Sequence, residues 1–157
     1  MSVSELRADN MAVLAVRAPA LARRVAAIEV PATHQVTATA AGQPMLTIEG
    51  VPLQHLVDPV AEAVRWARSA VERLDVVAAT RVVIVGLGLG YHVEALAERF
   101  AGVIVVVEPD LAVLHLALAT RDLAALLARV EVVAGDAELT NPAAGERTLV
   151  LAHAPAL

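Results

Sequence analysis

Three glycines at alternate positions, Gly86, Gly88 and Gly90, stand directly after the β-branched run Arg81-Val82-Val83-Ile84-Val85 and directly before Tyr91-His92-Val93-Glu94-Ala95-Leu96-Ala97. An apolar run of strand length that meets glycines and then changes to helical spacing reads as a strand, a tight turn and a helix. Glycine tolerates positive φ, so the chain can reverse within a few residues and bring backbone amides close to a ligand. The start of the following helix adds partial positive charge at the same place.

The alternation continues downstream. Residues 103–107 read as a second strand, 111–128 as a helix broken near Thr120-Arg121-Asp122, 130–134 as a third strand and 148–152 as a fourth. Strands alternating with helices imply a parallel sheet with helices packed over it, and right-handed crossovers place the strands in the order 3-2-1-4. The expected fold class is therefore α/β, a Rossmann-like parallel sheet whose switch point lies beside the glycine turn.

Upstream, residues 4–30 carry Leu6, Met11, Leu14, Leu21, Val25 and Ile28 at helical spacings interrupted by Pro19, which predicts two short helices. The runs 33–39 and 45–49 flank Gly42 and Pro44 and predict a β-hairpin. Asp58-Pro59 opens the plainest helix, with Asp as N-cap and Pro at the first helical position. Within it Arg68 and Glu72 stand four apart and are expected to bridge. Residues 1–57 are thus expected to form an N-terminal cap of helices and hairpin, and residues 58–157 a nucleotide- or S-adenosylmethionine-binding type of core.

At 157 residues one core is the default. Hydrophobic residues make up 58% and the mean hydropathy is +0.66, yet no uninterrupted apolar span reaches the ~18 residues of a membrane helix. The N-terminus lacks a secretory pattern, so the expected location is the cytoplasm, without membrane contact. There is no cysteine, hence no disulfide or thiolate zinc site. A net charge of −5 with mixed signs excludes the basic face that nucleic acid requires. Aromatic residues are 2%, so a pocket must be lined by aliphatic side chains and backbone.

The candidate cofactor-binding residues are Gly86, Leu87, Gly88, Gly90 and Tyr91 of the turn, with Glu108 and Asp136. Tyr91 stands where the last glycine of a GxGxxG fingerprint would be, which disfavours NAD or FAD relative to S-adenosylmethionine or another nucleotide. Glu108 ends the second strand at the spacing from the turn at which a carboxylate accepts ribose hydroxyls. Asp110 after it is better explained as an N-cap. Asp136 leaves the third strand, where an acidic residue can meet an adenine amino group; Gly135-Asp136 is equally a good turn. The five histidines show no metal spacing. His34, His55, His115 and His153 read as structural or surface residues, and only His92 falls near the turn. No Glu-x-x-His pair or Gly-x-Ser-x-Gly elbow occurs, so neither catalytic nor metal-binding residues are assigned.

The string Gly86-Leu87-Gly88-Leu89-Gly90-Tyr91-His92-Val93-Glu94-Ala95-Leu96, followed by Val105-Val106-Val107-Glu108-Pro109-Asp110, resembles the N-terminal Rossmann-like domain of the motility-associated factor (Maf) glycosyltransferases, which modify flagellins. Asn10, the hairpin ending near Gly50, and His55-Leu56-Val57-Asp58-Pro59 with Glu62-Ala63 extend the likeness upstream. In that family sugar transfer belongs to a central domain that follows, and this chain ends before one. The resemblance therefore implies an accessory domain, with nucleotide or nucleotide-sugar binding as its capacity, rather than a transferase.

The glycine turn, Glu108 and Asp136 as a set also resemble, more distantly, class I S-adenosylmethionine-dependent methyltransferases. Ile84 and Val85 depart from that pattern where an acidic residue is usual. Enzyme and binding module both stay open at this point. A four-stranded sheet leaves edges to be covered, so a protein partner or a homo-oligomer is expected under either.

Overall fold

The computed structural model describes residues 2–139 and 141–153. Helix α1 (Val3–Arg17) opens with a capping box, in which Ser2 accepts from the Glu5 amide and Glu5 accepts from the Ser2 amide. Pro19 then starts α2 (Pro19–Ala27) after a break at Ala18. Two helices are present as expected, although α1 runs to 15 residues rather than being short.

Strands β1 (His34–Ala38) and β2 (Pro44–Ile48) form the expected antiparallel hairpin. A third strand that the sequence reading did not contain, β3 (Val51–Pro52), pairs with β2. Glu49 and Gly50 join them with φ of 51° and 79°, both in the left-handed region that a tight two-residue hairpin turn demands. Helix α3 (Pro59–Val76) begins as read, with the Asp58 carboxylate accepting from the Ala61 amide. Arg68 and Glu72 do not form the expected bridge among the described residues. Both stand in solvent, where holding two long side chains together gains little over hydration.

The second sheet contains β4 (Arg81–Val85), β5 (Val103–Glu108), β6 (Glu131–Ala134) and β7 (Thr148–Ala152), all parallel, in the order β6-β5-β4-β7. This is the Rossmann-like 3-2-1-4 arrangement. Helix α4 (Tyr91–Ala97) links β4 to β5 and stops short of Phe100. Arg129 holds the carbonyls of Phe100 and Gly102 at 2.9 and 2.8 Å, fixing the bend that follows. Helices α5 (Leu111–Thr120) and α6 (Ala124–Arg129) are separated where the sequence placed a break.

That break is organised from far away. Asn10 on α1 is fully buried; its Nδ2 donates to the carbonyls of Leu118 at 2.9 Å and Arg121 at 2.6 Å. Its Oδ1 accepts from the Leu123 amide at 3.0 Å. One side chain thereby satisfies orphan groups at the end of α5 and the start of α6.

Side chains of one parity on the parallel sheet, including Val82, Ile84, Ile104, Val106, Val132 and Leu151, belong to one core with Leu74, Leu96, Leu114 and Leu118 from the helices. Leu14, Val25 and Leu46 from the N-terminal elements join that same core. Full burial of such side chains contributes roughly 1.5–3 kcal/mol each, before conformational entropy. The opposite parity carries Val83 and Val105, also buried. Between β6 and β7 no helix forms among the described residues. Among the described residues, no helix is long and apolar enough to cross a membrane.

Candidate functional site at the glycine turn

The chain leaves β4 through Gly86, Gly88 and Gly90, with φ of 98°, 55° and 87°. At Gly88 a side chain would be doubly unwelcome. Its backbone is left-handed, and an added Cβ would lie 3.1 Å from Nε2 of Gln54, itself buried under the N-terminal cap and accepting from the Leu46 amide at 2.8 Å.

Glu108 ends β5 beside this turn and is 4% exposed. Its Oε2 accepts from the amides of Leu87 at 2.8 Å and Gly88 at 3.3 Å, and its Oε1 from the Asp110 amide at 2.9 Å. The carboxylate thus lies against the turn amides themselves. Burial pushes its pKa above the ordinary value; the three amide donors act in the opposite direction without cancelling it.

A cleft of about 140 Å³ opens at the carboxyl ends of the strands. Gly86, Gly88, Glu108, Pro109 and Asp110 form one side; Ile48 of β2 and Leu53 just after β3, with Val113 and His153, form the rest. Of the residues singled out from the sequence, Gly86, Gly88 and Glu108 come together here. Leu87 is buried, Gly90 packs near Leu123 and Arg121, and Tyr91 turns toward the hairpin; none of them lines the cleft. Asp136 is exposed and paired with Arg24 through bonds of 3.0 and 3.1 Å. Arg24 holds the Asp136 carboxyl below its usual range.

The N-terminal sheet is clamped over this end of the parallel sheet at two points. Tyr91 donates its hydroxyl to the Pro44 carbonyl at 2.7 Å while the Arg121 guanidinium lies 3.9 Å above its ring. Arg121 also donates to the Leu89 carbonyl at 3.0 Å and pairs with Glu94 at 2.7 Å. The second clamp joins His34 Nε2 to the Asp110 carboxylate at 2.6 Å, leaving the other Asp110 oxygen to cap α5.

Sequence reasoning missed two features of this region. His153, after β7, reaches the cleft and stacks on His92, a pair with no local spacing to reveal it. Ile48 and Leu53 were also missed, because their approach depends on the unanticipated β3. Among the described residues no group of three or more histidine, cysteine or acidic side chains is placed to hold a metal.

This geometry joins a glycine turn, a strand-end carboxylate and an N-terminal cap in one unit, and a family model for the glycosyltransferase Maf N-terminal domain matches residues 51–148. The chain belongs to that family. A solved structure of MAf glycosyltransferase from Magnetospirillum magneticum AMB-1 superposes with a TM-score of 0.58 at 19% sequence identity, over 85% of this chain. The likeness shows a shared fold. This chain spans 28% of the length of that Maf protein. No curated protein sequence matches it.

Proposed function

We propose that this Maf N-terminal domain is a non-catalytic accessory module of a cytoplasmic, flagellin-directed glycosylation system, and that its glycine turn is closed internally by Glu108 instead of by a nucleotide. The observation that carries the reading is the carboxylate on the Leu87 and Gly88 amides. Those donors are the ones a Rossmann-type turn offers to an incoming anionic or polar ligand. A ligand would have to displace a buried group that holds three amides. The cleft, at about 140 Å³, is also below the ~300 Å³ at which small-molecule pockets usually begin.

A second reading, nucleotide or nucleotide-sugar binding, has one observation in its favour: Gly86, Gly88 and Glu108 do border a common cleft. Calorimetric titration with a nucleotide sugar and with S-adenosylmethionine, followed in parallel by the Leu87 and Gly88 amide resonances, separates the two. The accessory reading expects no saturable heat and unmoved resonances. Micromolar binding that shifts both amides would replace it with the nucleotide reading.

A further inference from the structure

Three backbone N–H groups converge on one carboxylate at the carboxyl ends of β4 and β5. Leu87 and Gly88 supply successive amides from the turn and Asp110 supplies the third, all within 3.3 Å of a Glu108 oxygen. Successive amides held in a turn form a concavity that takes a negatively charged oxygen. Among the described residues no arginine or histidine forms an ion pair with Glu108, which is 4% exposed. Its charge therefore rests on the amides alone.

Space for a larger occupant lies beside it. The cleft of about 140 Å³ borders Gly86, Gly88 and Glu108, and its apolar lining comes from Ile48, Leu53, Pro109 and Val113. A dry cavity of ~150 Å³ holds a molecule the size of benzene, about six heavy atoms. Because positions 86 and 88 are glycines, no side chain stands there between the backbone and the cleft. The other carboxylate of the cleft, Asp110, is already engaged, one oxygen with the Ala112 amide and the other with His34.

We propose that the amides of Leu87, Gly88 and Asp110 form a binding site for a small aliphatic carboxylate, and that Glu108 is its autoinhibitory occupant. The inference rests on the reading that Glu108 closes the turn, and it names what the closed site is shaped to hold. A ligand of this class sets its carboxylate oxygens on the three amides and lays its hydrocarbon tail along Ile48, Leu53 and Val113. It reproduces the end of the glutamate side chain that the amides already grip. An alkylammonium of the same shape would meet three N–H groups and no free acceptor among them. A tethered occupant acts at a high effective concentration, so a free carboxylate competes poorly in the wild type and binds once the side chain is cut back.

Titration of the full chain with sodium propionate, followed at the Leu87, Gly88 and Asp110 amide resonances, tests this. In Glu108→Ala the three amides are expected to shift together and to saturate, with an affinity at least tenfold above that of the wild type. Butyrate should bind about fourfold more tightly than propionate, because one more methylene is buried. Propylammonium at equal ionic strength should leave the amides unmoved, and Glu108→Gln, which keeps the site filled, should bind no better than the wild type. Glu108→Ser is the second variant, retaining a short acceptor for one amide; if either variant is unfolded, recovery of its circular dichroism with propionate and not with propylammonium is the expected result. A folded Glu108→Ala or Glu108→Ser that ignores propionate overturns the inference. So does a wild-type affinity equal to that of the variants, or a pair of unfolded variants that propionate does not restore. Each of these outcomes leaves closure of the turn by Glu108 standing, since that reading falls only to nucleotide binding by the wild type.

Discussion

The imidazole rings of His92 and His153 stack with centroids 3.7 Å apart and 9° between their planes, although the two residues are 61 positions apart in the chain. Trp66 of α3 sets its edge against both, at 5.1 and 6.0 Å. His92 donates from Nε2 to the Gly86 carbonyl at 2.8 Å, so the stack braces the first residue of the glycine turn.

Acid sensitivity follows from this stack. Burial, reinforced by the neighbouring His153, pushes the His92 pKa down to about 3, and burial also lowers that of His153. The unfolded chain, with histidine near 6.5, binds more protons between about pH 6.5 and 3. Stability is therefore complete above about pH 6.5 and falls by a few kcal/mol as the pH drops through that window. Urea midpoints at pH 7.5 and 4.5 measure the loss, with Trp66, the single tryptophan of the chain, as fluorophore. His92→Phe, which keeps a stacking ring without a titrating group, should flatten the acid limb; an unaltered slope would assign the sensitivity elsewhere.

Glu108 contributes with the opposite sign. Its folded pKa is raised, so between the unfolded value and the folded one the native state holds the extra proton, and stability declines as pH rises through that interval. Glu108→Gln removes the charge but leaves an amide nitrogen facing one of the backbone donors. The expected net effect is a loss of about 1–3 kcal/mol at pH 7, with a weaker decline above pH 4.5. Denaturant titrations of both proteins at pH 5 and 8 give the comparison.

Asn10→Ala should be among the most damaging single changes. It strips partners from the Leu118 and Arg121 carbonyls and from the Leu123 amide, around a side chain that is itself fully buried. A loss of about 3 kcal/mol or more is expected. Asn10→Asp should be comparably harmful, since a carboxylate cannot donate to the two carbonyls. Chemical denaturation reads both, and a loss below about 1 kcal/mol would show that water replaces the side chain.

Glu49 offers a stabilising change. It occupies a left-handed position, φ 51°, in the turn between β2 and β3, and it is exposed. Glu49→Asn or Glu49→Gly relieves that conformation and should raise stability by about 0.5–1 kcal/mol, visible as a higher melting temperature.

The parts of this fold that could be read from sequence are those encoded locally. Val82 to Val85 and the glycines after them specify a strand and a turn within ten residues, and Asp58-Pro59 announces a helix by its cap alone. Strand β3 escaped notice because Glu49 is not a turn residue by habit, and two residues carry no periodicity. Glu108 was located by its spacing, but its partners could not be: spacing fixes a position along the chain and says nothing of which amides stand nearby. Asn10 and the His92–His153 stack left no local trace, since each is defined by chain that arrives more than 60 residues later.

The Asn10 clasp also bears on how the polypeptide is made. Helix α1 is synthesised about a hundred residues before the groups its Asn10 must satisfy, at positions 118–123, so that part of its docking waits for them. During that interval Leu14 lacks the α5 and α6 part of the core that it joins in the folded protein. The clasp is thus expected to close late in assembly, leaving a nascent chain open to misassociation at α1 until residues 118–123 have emerged.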